Sequence, residues 1–180
     1  MTCNKNIATN SLSYTGIVTL SQYVGKKKIK IAKLHNSGGS PLFSFLANCL
    51  AGNFMTVRGN WPTKIKVLER IVEDEKEQQY TYNSISGFIF LRTVPEIDAS
   101  NLGESRVRYS FMIPRDLVEN ITNRSNVGLG LYTNSTPESE PENFAAFCSV
   151  GDTLSGELDN SSLLVDWELV ISNANNKSGN

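Results

Sequence analysis

Two stretches of the chain alternate so regularly that they constrain the fold more than anything else in it. In Arg106-Val107-Arg108-Tyr109-Ser110-Phe111-Met112-Ile113 the residues Val107, Tyr109, Phe111 and Ile113 share one side until Pro114 ends the run. In Leu163 to Ile171 the residues Val165, Trp167, Leu169 and Ile171 oppose Leu164, Asp166, Glu168 and Val170. Successive side chains of a strand point to opposite faces, so a period of two with one apolar side marks a half-buried strand of an antiparallel sheet.

Other segments carry weaker forms of the same signal. Tyr14 to Val24 is rich in β-branched and aromatic residues, Gly25-Lys26 supplies a turn, and Lys27 to Leu34 puts Ile29 and Ile31 on one face with Lys33 in the same register, which predicts a β-hairpin with its lysine-rich side in water. Lysines on such a hairpin protect an open edge against strand addition. Pro62 to Val72 reads as a strand, its second half also compatible with helix, and the polar run Glu73 to Gln79 follows as a loop. Ser84 to Val94, with Phe88-Ile89-Phe90-Leu91, predicts a strand ended by Pro95. Val127 to Tyr132 predicts another, whose two glycines imply a close backbone neighbour; Thr133 to Pro141 reads as a surface loop, and Asn143 to Val150 fits strand or helix equally.

One helix is expected near the N-terminus. After a loop at His35-Asn36-Ser37-Gly38-Gly39, Ser40 can cap and Pro41 suits the first helical position; Leu42, Phe43, Phe45, Leu46, Cys49 and Leu50 recur at three- and four-residue spacing until Gly52. The helix reads as short and mostly buried, with an apolar surface wide enough to touch two neighbours at a sheet edge or subunit contact. Pro114 to Glu119 can make a single helical turn. Seven or eight strands with one early helix, no strand–helix–strand alternation and no internal repeat predict a mainly β fold, an antiparallel jelly-roll-like β-sandwich. The expected organisation is an arm over 1–13, a domain over 14–172 and a polar tail over 173–180, with Val107, Tyr109, Phe111, Trp167, Leu169 and Phe90 in the core.

Composition narrows the function. Seventeen basic against 18 acidic side chains in 180 residues give a net charge of −1, without the excess of Lys and Arg that supplies affinity for a nucleic-acid backbone. The chain has no apolar run approaching the roughly 20 residues that cross a bilayer, so neither nucleic acid nor membrane is expected as a partner. Cys3, Cys49 and Cys148 are widely spaced with no paired motif, which encodes neither a disulfide framework nor a zinc site and predicts free thiols, Cys49 and Cys148 buried, made in a reducing cytoplasm. The opening Met1 to Asn6 lacks the basic and apolar regions of a secretory signal.

No chemistry is spelled out locally. His35, the one histidine, lies in a Gly/Ser loop away from any nucleophile motif. Asp166 and Glu168 flank Trp167 and point to one side of a strand while the tryptophan points to the other, so a carboxylate pair with an aromatic sugar platform does not assemble there. Phosphate-binding loops, dinucleotide fingerprints and calcium loops are missing, and no catalytic residue, cofactor or metal is expected. Trp61, a loop aromatic beside Pro62, is the best candidate for an anchor in a partner's pocket. A second possibility is a carbohydrate-binding sandwich, for which Tyr80, Tyr82, Phe88, Phe90, Tyr109 and Phe111 would have to form an exposed aromatic face.

The pieces His35-Asn36-Ser37-Gly38-Gly39, Leu42-Phe43-Ser44-Phe45-Leu46 and Leu50-Ala51-Gly52-Asn53-Phe54, with the closing Leu164-Val165-Asp166-Trp167-Glu168-Leu169-Val170-Ile171-Ser172-Asn173, resemble small virion structural proteins of tailed bacteriophages, particularly the crAss-like phages of gut bacteria. The resemblance implies a non-enzymatic β-rich subunit of the virion, made in the bacterial host cytoplasm and present in many copies. Such a subunit would act as an auxiliary or decoration protein on the major capsid lattice, or else as a neck, tail or ring component. The expected contacts are Met1, Thr2 and Asn4 in the N-terminal arm, Asn175 and Asn176 in the tail, and Trp61, because these segments lack the periodicity of core elements and can order on binding.

Overall fold

The computed structural model describes residues 12–53, 61–74, 79–90, 96–101, 104–122, 126–137, 143–151 and 161–173. These form β1 (Leu12–Val24), β2 (Lys27–Gly38), α1 (Ser40–Leu50), β3 (Pro62–Asp74), β4 (Gln79–Ser84), β5 (Ile89–Phe90), β6 (Glu96–Asn101), β7 (Glu104–Ile113), α2 (Arg115–Thr122), β8 (Val127–Thr133), β9 (Ala146–Ser149) and β10 (Leu163–Asn173). The fold is mainly β. Nine strands run in the order β4-β3-β8-β9-β2-β1-β10-β7-β6, with the two-residue β5 alongside β3, every pairing is antiparallel, and the sheet curls into a half-barrel.

The strongest alternating segments occupy the centre of one limb. β10 lies between β1 and β7 with Trp167 opposite Val18 on one side and Tyr109 on the other, and Val165 opposite Leu20 and Phe111. These six residues are buried. From the other limb Ile65 and Val67 of β3, Leu129 and Leu131 of β8, and Ala146 and Cys148 of β9 join the same apolar cluster. Curling therefore brings the inner faces of the two limbs onto one core, and β5 closes from β3 towards β7. Both helices contribute: Val118 and Ile121, three apart on α2, are buried, as is Leu42 of α1.

Several expectations are corrected. The two limbs are continuous: β2 pairs with β1 up to Asn36 and then with β9 at Ser37 and Gly38, so one strand turns the corner between them. The stretch from His35 to Gly38 is thus strand, not loop. Within the hairpin the register shifts from Leu20 opposite Ala32 to Ser21 opposite Lys30, leaving Ile31 as an extra residue. Such a bulge reverses the parity of the strand beyond it: Ala32 is buried and Leu34 packs on the core, whereas Lys33 is exposed.

The helix α1 starts at Ser40 with Gly39, not Ser40, as N-cap. The Gly39 N–H donates to the Ala145 carbonyl at 2.7 Å, and a Cβ there would lie 2.2 Å from the Phe144 oxygen, so only glycine fits. Gly52, at φ +72°, ends the helix. Rather than being mostly buried, α1 packs Leu42 and Leu46 on the core and leaves Phe43 and Leu50 in solvent, with Cys49 half-buried. The turn after Pro114 extends to the eight residues of α2. The segment from Asn143 to Val150 resolves as strand in β9.

The second limb is also filled on its outer side, where all seven residues of β8 are buried. Of the strand expected over 84–94, residues 91–94 lie outside the described residues, and the described part is strand only at Ser84, the end of β4, and in β5, because residues 85–88 bend back across β3: the Ile85 N–H donates to the Val67 carbonyl and the Val67 N–H to Ser86 Oγ. Phe88 thereby packs edge-on to Tyr132, with ring centroids 5.4 Å apart, while Phe90 points out at 59% exposure, against the expectation that it lies in the core. The glycines of β8 make room mainly for rings: a Cβ on Gly128 would lie 2.2 Å from Phe147 Cζ, and one on Gly130 would lie 2.7 Å from Tyr132 Cε2. The start of the Thr133 to Pro141 loop is tied down, Thr133 Oγ1 and Thr136 Oγ1 sharing a hydrogen bond at 3.0 Å with both residues buried.

Candidate interaction surface

The parity that buries Trp167 sends Asp166 and Glu168 to the outer face of β10, beside Ser110, Arg108 and Arg106 of β7. Glu168 accepts from Arg106 Nη1 at 3.1 Å and from Arg108 Nε at 3.1 Å and Nη2 at 3.0 Å. Asp166 accepts from Ser110 Oγ at 2.7 Å and from Lys28 Nζ at 2.9 Å, the lysine reaching over from the hairpin. Partial burial pushes the Asp166 carboxyl up, but the hydrogen bonds from Lys28 and Ser110, with the charges of Lys28 and Arg108, outweigh it and hold the group below its ordinary value. The two carboxylates are engaged as cross-strand braces, on the face opposite the tryptophan.

A second polar cluster lies on the outer side of β3. Lys64 and Lys66, two apart and both buried, place their ammonium groups 3.8 and 4.2 Å from the centroid of the Phe88 ring. Lys64 also donates to the carbonyls of Asn134 and Thr136, at 3.2 and 2.7 Å. Cation–π contact and carbonyl acceptors let the lysine stems cover apolar surface while the charges stay solvated by the protein. The arrangement clips the 85–88 bend and the 133–136 turn onto the sheet.

Several large apolar side chains among the described residues stand exposed. Trp61, the residue before β3, is 46% exposed, Phe43 and Leu50 of α1 are 53% and 80% exposed, and Phe90 is exposed beside them in type though on another element. Phe43 keeps one edge contact, to Tyr14 at 6.4 Å. The other expected contact residues, Met1, Thr2, Asn4, Asn175 and Asn176, lie outside the described residues, as does Cys3. Leu12 pairs with Asn173, so the first described residue of β1 and the last of β10 lie side by side. Phe43 and Leu50 were hidden by the expectation of a buried helix, although an apolar surface too wide for one neighbour was itself the signal.

Among the chemically reactive side chains, burial pushes the Cys148 thiol up to about 12, and its Sγ lies 3.7 Å from the Ser149 carbonyl as a weak donor. His35 is exposed opposite Ile17. Among the described residues no group of three or more His, Cys, Asp or Glu side chains is placed to hold a metal ion, and no helix is long and apolar enough to cross a membrane. Of the aromatic face considered for sugar binding, Tyr109 and Phe111 are buried, Phe88 is packed on Tyr132, and the side chains of Tyr80 and Tyr82 lie outside the described residues. Comparison with known proteins finds no matching family model, no matching curated protein and no matching solved structure.

Proposed function

We propose that this chain is a non-enzymatic structural protein of a tailed-phage virion, an auxiliary subunit that decorates the head in many copies. It binds the major capsid lattice through protein–protein contacts and enters the particle after synthesis in the host cytoplasm. The observation that carries this reading is the contrast on the surface: Trp61, Phe43 and Leu50 are exposed, while the outer-face carboxylates of Asp166 and Glu168 are consumed by ion pairs. Exposed large apolar side chains gain free energy from a partner's pocket, and an aromatic is the usual anchor. Leu12 and Asn173 pair at the ends of β1 and β10, and terminal arms attached there would suit a clamp on a neighbouring subunit. The resemblance of the 35–54 and 164–173 segments to phage virion proteins supplies the assembly, and the two facing limbs stand for the two sheets of a jelly-roll-like sandwich.

Phage carrying Trp61→Ala, or lacking residues 1–10, should incorporate fewer copies per particle, by about tenfold if Trp61 is a hot spot, while the isolated variants keep the parental unfolding midpoint. Unchanged incorporation of both variants overturns the contact assignment, and density for the protein at the neck or tail moves it off the head.

A further inference from the structure

Helix α1 carries no charge. Its 11 residues include no Asp, Glu, Lys or Arg, so there is no acid in the first turn and no base in the last. A helix at the surface of a fold ordinarily turns charged and polar side chains outward. Here Leu42 is buried and Leu46 packs on the core, while Phe43, Ala47 and Leu50 all stand exposed, Leu50 at 80%. Those three recur at i, i+4 and i+7, so they form a second apolar stripe beside the one that meets the sheet. Packing on the core accounts for the first stripe, but not for a second one left in solvent.

The order of side chains along the second stripe decides what fits it. Phe43 lies one turn before Ala47 and Leu50 one turn after it, so two bulky groups flank a small one almost symmetrically. A two-fold axis at Ala47 sets two copies of the helix antiparallel, with alanine against alanine and the Phe43 of each over the Leu50 of the other. A small residue at the crossing lets the helix axes approach to about 8 Å. The antiparallel arrangement also sets the positive N-terminal end of each helix beside the negative C-terminal end of the other. A second copy therefore covers the stripe without burying an unpaired charge on either side.

We infer that α1 packs antiparallel on α1 of a second copy of this chain, across a two-fold axis at Ala47, with Phe43 and Leu50 filling the apolar centre. The inference rests on the multi-copy reading above and names the contact between neighbours; Trp61, outside the helix, remains the anchor proposed for the capsid lattice. One helix pair buries well under the ~800 Å² a side of a standard stable interface. The contact is accordingly weak in isolation, with a dissociation constant on the order of 100 μM, and gains strength in an assembly that also holds each copy by other contacts.

The test is sedimentation velocity of the purified full chain up to about 1 mM, a concentration that reveals even weak contacts, together with disulfide trapping of Ala47→Cys in a Cys3→Ser/Cys49→Ser background. Arg115→Cys, at an exposed position of α2, is the trapping control. The expected result is a monomer–dimer equilibrium that persists from about 50 to 500 mM salt, because no charge pair holds it. Mild oxidation should link Ala47→Cys into dimers, its Cβ atoms meeting across the axis, and leave Arg115→Cys monomeric. Leu50→Asp and, separately, Phe43→Ser should weaken the dimer about tenfold or more, with circular dichroism and thermal midpoint unchanged. A chain monomeric up to about 1 mM overturns the inference, as does association that neither variant changes, association lost at high salt, or equal trapping at Arg115→Cys. Trapping of Ala47→Cys on the major capsid protein in phage particles, without a dimer in solution, assigns the stripe to the lattice and overturns it too. Presence in purified phage with no self-association removes this contact and leaves the virion reading standing; self-association with absence from phage does the reverse.

Discussion

Trp167 is fully buried between Val18 and Tyr109, and its neighbours in sequence are the two acids that brace the opposite face. Trp167→Ala should cost about 3–5 kcal/mol through lost transfer and the cavity left behind, read as a fall in the denaturant midpoint; an unchanged midpoint removes Trp167 from the core. Asp166 supplies a pH-dependent counterpart. Its folded carboxyl titrates below the unfolded one, near 3.9, so its contribution is full above that value and lost as pH falls through the lowered folded one. The stability gap between the parent and Asp166→Asn should therefore narrow between about pH 7 and pH 2, and a gap that stays constant or widens on acidification contradicts the brace. These positions were legible because an alternating strand tells the two faces apart. The Lys64–Lys66–Phe88 cluster was not, because it depends on residues 85–88 folding back over β3, which no local pattern encodes.

At the scale of elements, legibility followed apolar periodicity. β1, β3, β7, β8 and β10 lie where their patterns put them. β4 and β6, at the two ends of the sheet order, were missed: Gln79–Ser84 and Glu96–Asn101 are short and polar, and an edge strand needs no continuous apolar face. The bulge at Ile31 was equally invisible, since a one-residue insertion leaves composition untouched while reversing which side of β2 faces the core. Helix α1 was found at its place but with the wrong exposure, because three- and four-residue spacing gives the apolar stripe and not the number of neighbours available to cover it. Leu42→Asp should prevent soluble folding, since it puts an unpaired charge into the core. Leu50→Asp should shift stability by no more than about 0.5 kcal/mol. Equal effects of the two substitutions on soluble yield and thermal midpoint would show that the face assignment of α1 is wrong.

For the whole molecule, the mainly β class was readable, and the continuous curled sheet was not, because it turns on β2 exchanging β1 for β9 over two residues. The surface divides in a way that composition averages away: ion-paired on the outer face of one limb, clipped by lysines on the other, and apolar at Trp61, α1 and the hairpin tip. That division is what the proposed reading, a subunit that works by contact, rests on. The central claim, that the chain is a structural component of a virion, meets its most direct test in a quantitative mass-spectrometric inventory of purified phage particles. The account predicts the protein in those particles in many copies, in fixed proportion to the major capsid protein; its absence from them, with the protein abundant in the infected-cell lysate, would contradict it.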